Sequence, residues 1–171
     1  MANWIANKIT AKGIKNLDIF DENGLIDFNK IIPEPADINN CPDEFRYDLH
    51  PDAIVMPNKE KPWFNWYTWR NKFWGVNVNS DTHCADEKQE NDTIWFDTKW
   101  NCPKPVIETV SKMLGDTELE LIWEDLESGF TPVYKLIYKN GTIIKAYEAY
   151  YDFENNVNNS VLGDWSELKV Q

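Results

Sequence analysis

The densest run of side chains able to do chemistry is Asp97-Thr98-Lys99-Trp100, an acid, a hydroxyl, an ammonium and an indole in direct succession. A carboxylate two residues from a lysine can act as an acid/base pair, and Asn29-Lys30 could add an amide and a second cation from elsewhere in the chain. The same residues also make an ordinary ion pair beyond a strand end, and no accompanying motif raises them to a catalytic site. The sequence contains no P-loop, dinucleotide-binding glycine pattern, serine-hydrolase elbow or His-Glu-x-x-His run, so the chemistries that need those parts lack them. Cys41, Cys84 and Cys102, with His50 and His83, are too few and too scattered for a four-ligand zinc site or a four-thiolate cluster. No catalytic residue, metal or cofactor is therefore expected, and the chain reads as a non-enzymatic protein.

Binding is the chemistry that remains. Seventeen basic residues stand against 29 acidic ones, a net charge of −12. Such a charge repels phosphate backbones and anionic lipid, so neither direct nucleic-acid binding nor a membrane partner is expected, although a local basic patch stays compatible with it. More than half of the acid excess lies in 116–171, where eleven acids face four lysines. Glu118, Glu120, Glu124, Asp125 and Glu127 are its core. On a strand, alternate carboxylates lie roughly 6.8 Å apart, close to the phosphate spacing of an extended nucleic acid. These five acids, together with the tryptophans Trp69 and Trp100, are the candidate partner-binding residues.

These residues need elements to position them. Trp4 to Lys12 reads as a first strand closed by Gly13. A proline-punctuated stretch over about 13–61 reads as an insertion of turns, and Pro62 then opens a helix from Trp63 to Trp74 that Gly75 terminates. Trp63, Trp66, Tyr67, Phe73 and Trp74 form its expected core stripe, which leaves Trp69 as a surface contact. Val76-Asn-Val78 and Thr93 to Phe96 read as short strands around a polar loop that holds His83 and Cys84, and Pro103 or Pro105 starts a second helix that ends at Gly115. Glu118 to Glu124 alternates as a half-buried strand with an acidic outer face. Asn140-Gly141 between two β-rich runs predicts a type I′ hairpin over about 131–151, pairing Lys139 with Thr142, Ile137 with Ile144, Tyr138 with Ile143 and Tyr134 with Tyr147. Val161, Leu162 and Trp165 could anchor a short closing helix.

The expected order is β-α-β-β-α-β followed by a hairpin, an α+β ferredoxin-like core with a long insertion after strand 1. At 171 residues the chain is read as a single domain spanning 1–171. No apolar run is long enough to span a bilayer and the N-terminus has no signal-peptide pattern, so a cytoplasmic protein is expected.

Several segments taken in order resemble the YubB-like proteins of phages and conjugative plasmids. They are Met1-Ala-Asn-Trp4 with Asn7-Lys8, Phe28-Asn-Lys-Ile-Ile-Pro33-Glu-Pro35, Trp66-Tyr67 and Trp69 leading to Trp74-Gly75, and Phe96-Asp-Thr98-Lys-Trp100 before Pro103 and Pro105. Phe73 before Trp74, and Val76-Asn77-Val78 after Gly75, depart from the usual tryptophan-glycine run of that family. The resemblance implies a ferredoxin-like domain and a mobile-element origin, and it implies no reaction. Accessory proteins of such elements often block host defence, so the expected partner is a host protein such as a nucleic-acid-binding defence nuclease, met in the host cytoplasm by an acidic mimic surface. The alternatives are a housekeeping module that docks through its aromatic surface, or a small enzyme with a site near Asp97-Trp100. The oligomeric state is not legible.

Overall fold

The computed structural model describes residues 3–35, 66–82, 92–127, 132–152 and 161–170. Strand β1, Trp4–Thr10, is the second strand of a six-stranded antiparallel sheet. Its neighbours are β2, Thr93–Lys99, and β3, Leu119–Asp125; beyond β3 run β4, Val133–Lys139, β5, Thr142–Ala149, and β8, Ser166–Leu168. A separate two-stranded sheet pairs β6, Tyr151–Asp152, with β7, Val161–Leu162. The helices are α1, Phe28–Ile31, α2, Trp66–Phe73, and α3, Lys104–Leu114.

The unit β2-α3-β3 encloses β1 between its two strands, because β1 pairs antiparallel with both. This split β-α-β arrangement is the ferredoxin-like signature, and the molecule is an α+β ferredoxin-like fold. The β4–β5 hairpin and β8 widen the sheet beyond it. Among the described residues, the place of the motif's second strand is held by the isolated bridge between Asp81 and Asp97 alone. Val76-Asn-Val78, expected as that strand, is a bend. Gly75 takes φ 83, where a Cβ would come 2.9 Å from Pro105 Cδ, and this left-handed step turns Val76 into the core instead of along a sheet.

Alternation divides the sheet into two faces. Ile5, Asn7 and Ile9 of β1 share one face with Ile94, Phe96 and Thr98 of β2 and with Leu121 and Trp123 of β3. The helices cover this face. Phe28 meets Phe96 and Trp74 edge-on at 6.0 and 5.8 Å, Trp69 meets Trp74 at 5.7 Å, and α3 buries Val106, Ile107 and Val110. Trp4, Ala6, Lys8 and Thr10 point to the opposite face, which no described helix covers.

Three further expectations change. Trp69 is buried at 7% exposure: its ring lies 4.9 Å from that of Phe73 in a tilted pair, and Trp66, Trp69 and Phe73 follow the i, i+3, i+7 spacing of one helix face. Trp63 lies outside the described residues. In the hairpin, a bulge between Ile137 and Tyr138 pairs Ile137 with Lys145 and Tyr134 with Glu148, so Tyr147 faces Lys135 and Ile144 is left exposed. The closing helix is instead strand, with Val161 and Leu162 in β7 and Trp165 just before β8.

Candidate functional site

Asp97, Thr98 and Lys99 lie inside β2 and not beyond its end, and this reorganises the first candidate site. Asp97 is fully buried, and its backbone exchanges hydrogen bonds of 2.7 and 2.9 Å with Asp81. Thr98 is fully buried on the helix side. Its hydroxyl accepts from Asn7 Nδ2 at 2.9 Å and donates to the Asn101 carbonyl at 2.7 Å. Lys99 Nζ sits 4.8 Å from the centre of the Trp4 ring. In α1, Lys30 is ion-paired to exposed Asp18 at 2.8 Å, and Asn29 Oδ1 accepts from the Glu34 amide at 2.8 Å.

The Asn7–Thr98–Asn101 chain fixes the turn that follows β2, and Trp100 sits at its corner. Trp100 is 52% exposed and takes φ 72, a left-handed conformation that is costly for a bulky residue. Its amide donates to the Asn3 carbonyl at 2.8 Å, and the Asn101 amide donates to Lys99 at 2.9 Å. The surrounding bonds therefore hold an indole out into solvent against its own backbone preference.

Asn3, together with Trp4, also reaches the end of β3. The Leu126 amide donates to the Trp4 carbonyl at 3.0 Å, and Asn3 Nδ2 donates to Asp125 Oδ2 at 3.3 Å. The Glu127 amide donates to Asp125 Oδ1 at 3.0 Å, so a short acidic turn follows the strand. Leu126, at 42% exposure, was not singled out in the sequence, because a lone leucine between two acids carries no periodic signal. One end of the sheet thus presents Trp100 and Leu126 on either side of Asn3-Trp4, with Asp125 and Glu127 alongside.

The five expected acids do not form one surface. Glu118, just before β3, and Glu120 lie toward its far end, roughly 24 Å and 17 Å from Asp125 along the strand. Glu120 and Glu124 project from the helix-free face and are half-buried, whereas Asp125 shares the helix-side register of Ile5. Glu124 accepts from the Tyr151 hydroxyl; burial first, and then this bond, push the phenol up to about 12. Trp69 belongs to the core and joins neither end.

Among the described residues no cluster of three potential metal ligands occurs, and Cys41, His50, His83 and Cys84 lie outside them. Cys102 is buried, and burial pushes its thiol far above the ordinary range, which leaves it a core residue and not a nucleophile. No described helix is long and apolar enough to cross a membrane.

Fold and site together define an α+β domain with a helix-covered face, a helix-free face and an aromatic–acidic end. A family model described as the ferredoxin-like domain in Api92-like protein matches residues 73–162, more than half of the chain, and the chain belongs to this family. The match runs from the last residue of α2 through β7 and contains Trp100 and Asp125–Glu127; β1, on which both are tied, precedes it. No curated protein and no solved structure matches the chain.

Proposed function

We propose that this is a non-enzymatic binding protein of a phage or conjugative plasmid, akin to the YubB-like proteins, that engages a host protein in the host cytoplasm through the Trp100 end of its sheet. The observation that carries this reading is the exposed indole of Trp100, held in a left-handed turn by hydrogen bonds traced to Asn3, Asn7 and Thr98. Backbone strain that neighbouring bonds over-determine is a feature of functional positions, and tryptophan is the residue most enriched among interface anchors. Leu126 widens the apolar contact, and Asp125 and Glu127 give it an acidic rim suited to a basic partner surface. The nucleic-acid channel of a defence nuclease has that character, and occluding it would make the protein an anti-defence inhibitor.

Affinity purification from a host that carries phage-defence systems tests this reading. The wild-type protein is expected to retain a basic protein whose release is promoted by raised salt, and Asp125→Asn with Glu127→Gln to retain less of it and to respond less to salt. Retention indifferent to salt and to this double substitution would remove the acidic rim from the account.

A further inference from the structure

The helix-free face carries a pattern that the reading above leaves unused. Trp4 pairs with Lys99 across β1 and β2, and Lys8 pairs with Trp95. Each ammonium lies over its partner's ring, at 4.8 Å for Lys99 on Trp4 and 5.5 Å for Lys8 on Trp95. Farther along, Lys135 of β4 lies opposite Tyr147 of β5, 4.8 Å from that ring and 4.2 Å from the ring of Trp165. The row Trp95, Lys8, Ile122, Lys135, Tyr147 therefore crosses five strands, with aromatic rings at its ends and lysines between.

Beside Lys8 and Trp95 the face is hollow, because Ala6 is the smallest side chain that β1 turns toward it. The hollow measures about 150 Å³ and is lined by Ala6, Lys8, Trp95, Ile122 and Glu124 among others. An aromatic wall, an ammonium beside it and a carboxylate opposite match three parts of a nucleotide. The ring offers a stacking surface for the base, the ammonium can move onto a phosphate, and the carboxylate accepts from an exocyclic amine. A duplex hides its bases in the stack, so only an unpaired strand can use such a site. The net charge of −12 opposes a polyanion, but the face itself holds Lys8, Lys99, Lys135 and Lys145 against Glu120, Glu124 and Glu167, with Asp97 fully buried.

We propose that the helix-free face is a binding site for single-stranded nucleic acid. One base stacks on Trp95 in the hollow over Ala6 with its amino group toward Glu124, while Lys8 and Lys99 take the flanking phosphates. This site adjoins the Trp100 end at Lys99 and does not depend on the host-protein reading.

Fluorescence anisotropy of labelled DNA single strands of about ten nucleotides, within the usual footprint of a single-strand-binding domain, tests it. At low salt the full chain is expected to bind all-adenine and all-cytosine strands saturably, more tightly than all-thymine strands, which lack the exocyclic amine. Raising salt should weaken binding. Trp95→Leu, which keeps apolar bulk without a stacking ring, should reduce affinity about tenfold or more, and Lys8→Met, which leaves the ring in place, should flatten the salt dependence. Three results would overturn the proposal: no saturable binding by the wild type at low salt, wild-type affinity in both variants, or loss of a retained host protein by Trp95→Leu when the wild type binds no oligonucleotide. The last would assign the face to a protein. Equal affinity for the three strands would overturn the role of Glu124.

Discussion

Trp74 shows how one side chain can join several layers. It is 1% exposed, its indole N–H donates to the Ile32 carbonyl at 2.9 Å, and its ring meets Phe28 and Trp69 edge-on. Arg70 lies 5.1 Å from that ring and 5.3 Å from the ring of Trp66, and is bound through two nitrogens to the Glu34 carboxylate. The apolar volume, the satisfied N–H and the cation all depend on this one residue. Trp74→Ala is expected to cost about 3–5 kcal/mol by leaving a large cavity and an unpaired carbonyl, while Trp66→Ala, at a half-buried position, should cost on the order of 1–2 kcal/mol. Urea unfolding of the two variants checks this, and equal losses would mean that the two rings are equally buried. The core role of Trp74 was legible from its place before Gly75. That of Trp69 was not, because a helix so rich in aromatics supports more than one stripe and the choice falls to the sheet it meets.

At the scale of the element, the β4–β5 hairpin was the plainest signal, since Asn140 and Gly141 adopt φ 48 and 75 as a type I′ turn requires. The tip is also docked. The Asn140 amide donates to the Gly115 carbonyl and the Gly141 amide to Ser111 Oγ, both at 3.1 Å, at the end of α3. A Cβ on Gly141 would come 2.4 Å from Lys112 Cε, so Gly141→Ala meets both the strained φ and the lysine stem. A loss of about 1–2 kcal/mol is expected, read as a lower melting temperature in calorimetry, whereas Asn140→Gly should fall within about 0.5 kcal/mol of wild type. A Gly141→Ala protein as stable as wild type would show that the tip is not held against α3. The pairing along the hairpin was less legible than its turn. Ile143 and Ile144 are equally good strand formers, and the bulge that expels Ile144 is selected by the helix-side contacts of Tyr138 and Ala146, which lie in the core.

For the whole molecule, most of the element order was readable because proline and glycine punctuate it, but the strand expected at Val76-Asn-Val78 is a bend and the expected closing helix is strand. The site was only half readable. Trp100 and the acids Asp125 and Glu127 stand out by type, but nothing in their spacing shows that Asn3 and Trp4 tie both turns to one end of the sheet. The lysine–aromatic pairs of the helix-free face are likewise invisible until β1 is seen between β2 and β3, since Lys8 and Trp95 are far apart in the chain. Net charge alone describes this protein as acidic throughout, whereas among the described residues the fold sets an acidic strand end apart from a face where lysines match the acids.

The central claim is that Trp100 is held out of the fold to anchor a protein partner. The most direct measurement is the affinity of the purified partner for wild type and for Trp100→Ala, by calorimetry at fixed salt, with circular dichroism confirming that both are folded. Because the indole is exposed, and its turn is held by backbone and threonine hydrogen bonds, the substitution should leave stability within about 0.5 kcal/mol of wild type. Binding should weaken by about 2 kcal/mol or more, roughly thirtyfold, as for a buried aromatic anchor. A folded Trp100→Ala protein that binds its partner as tightly as wild type would contradict the account.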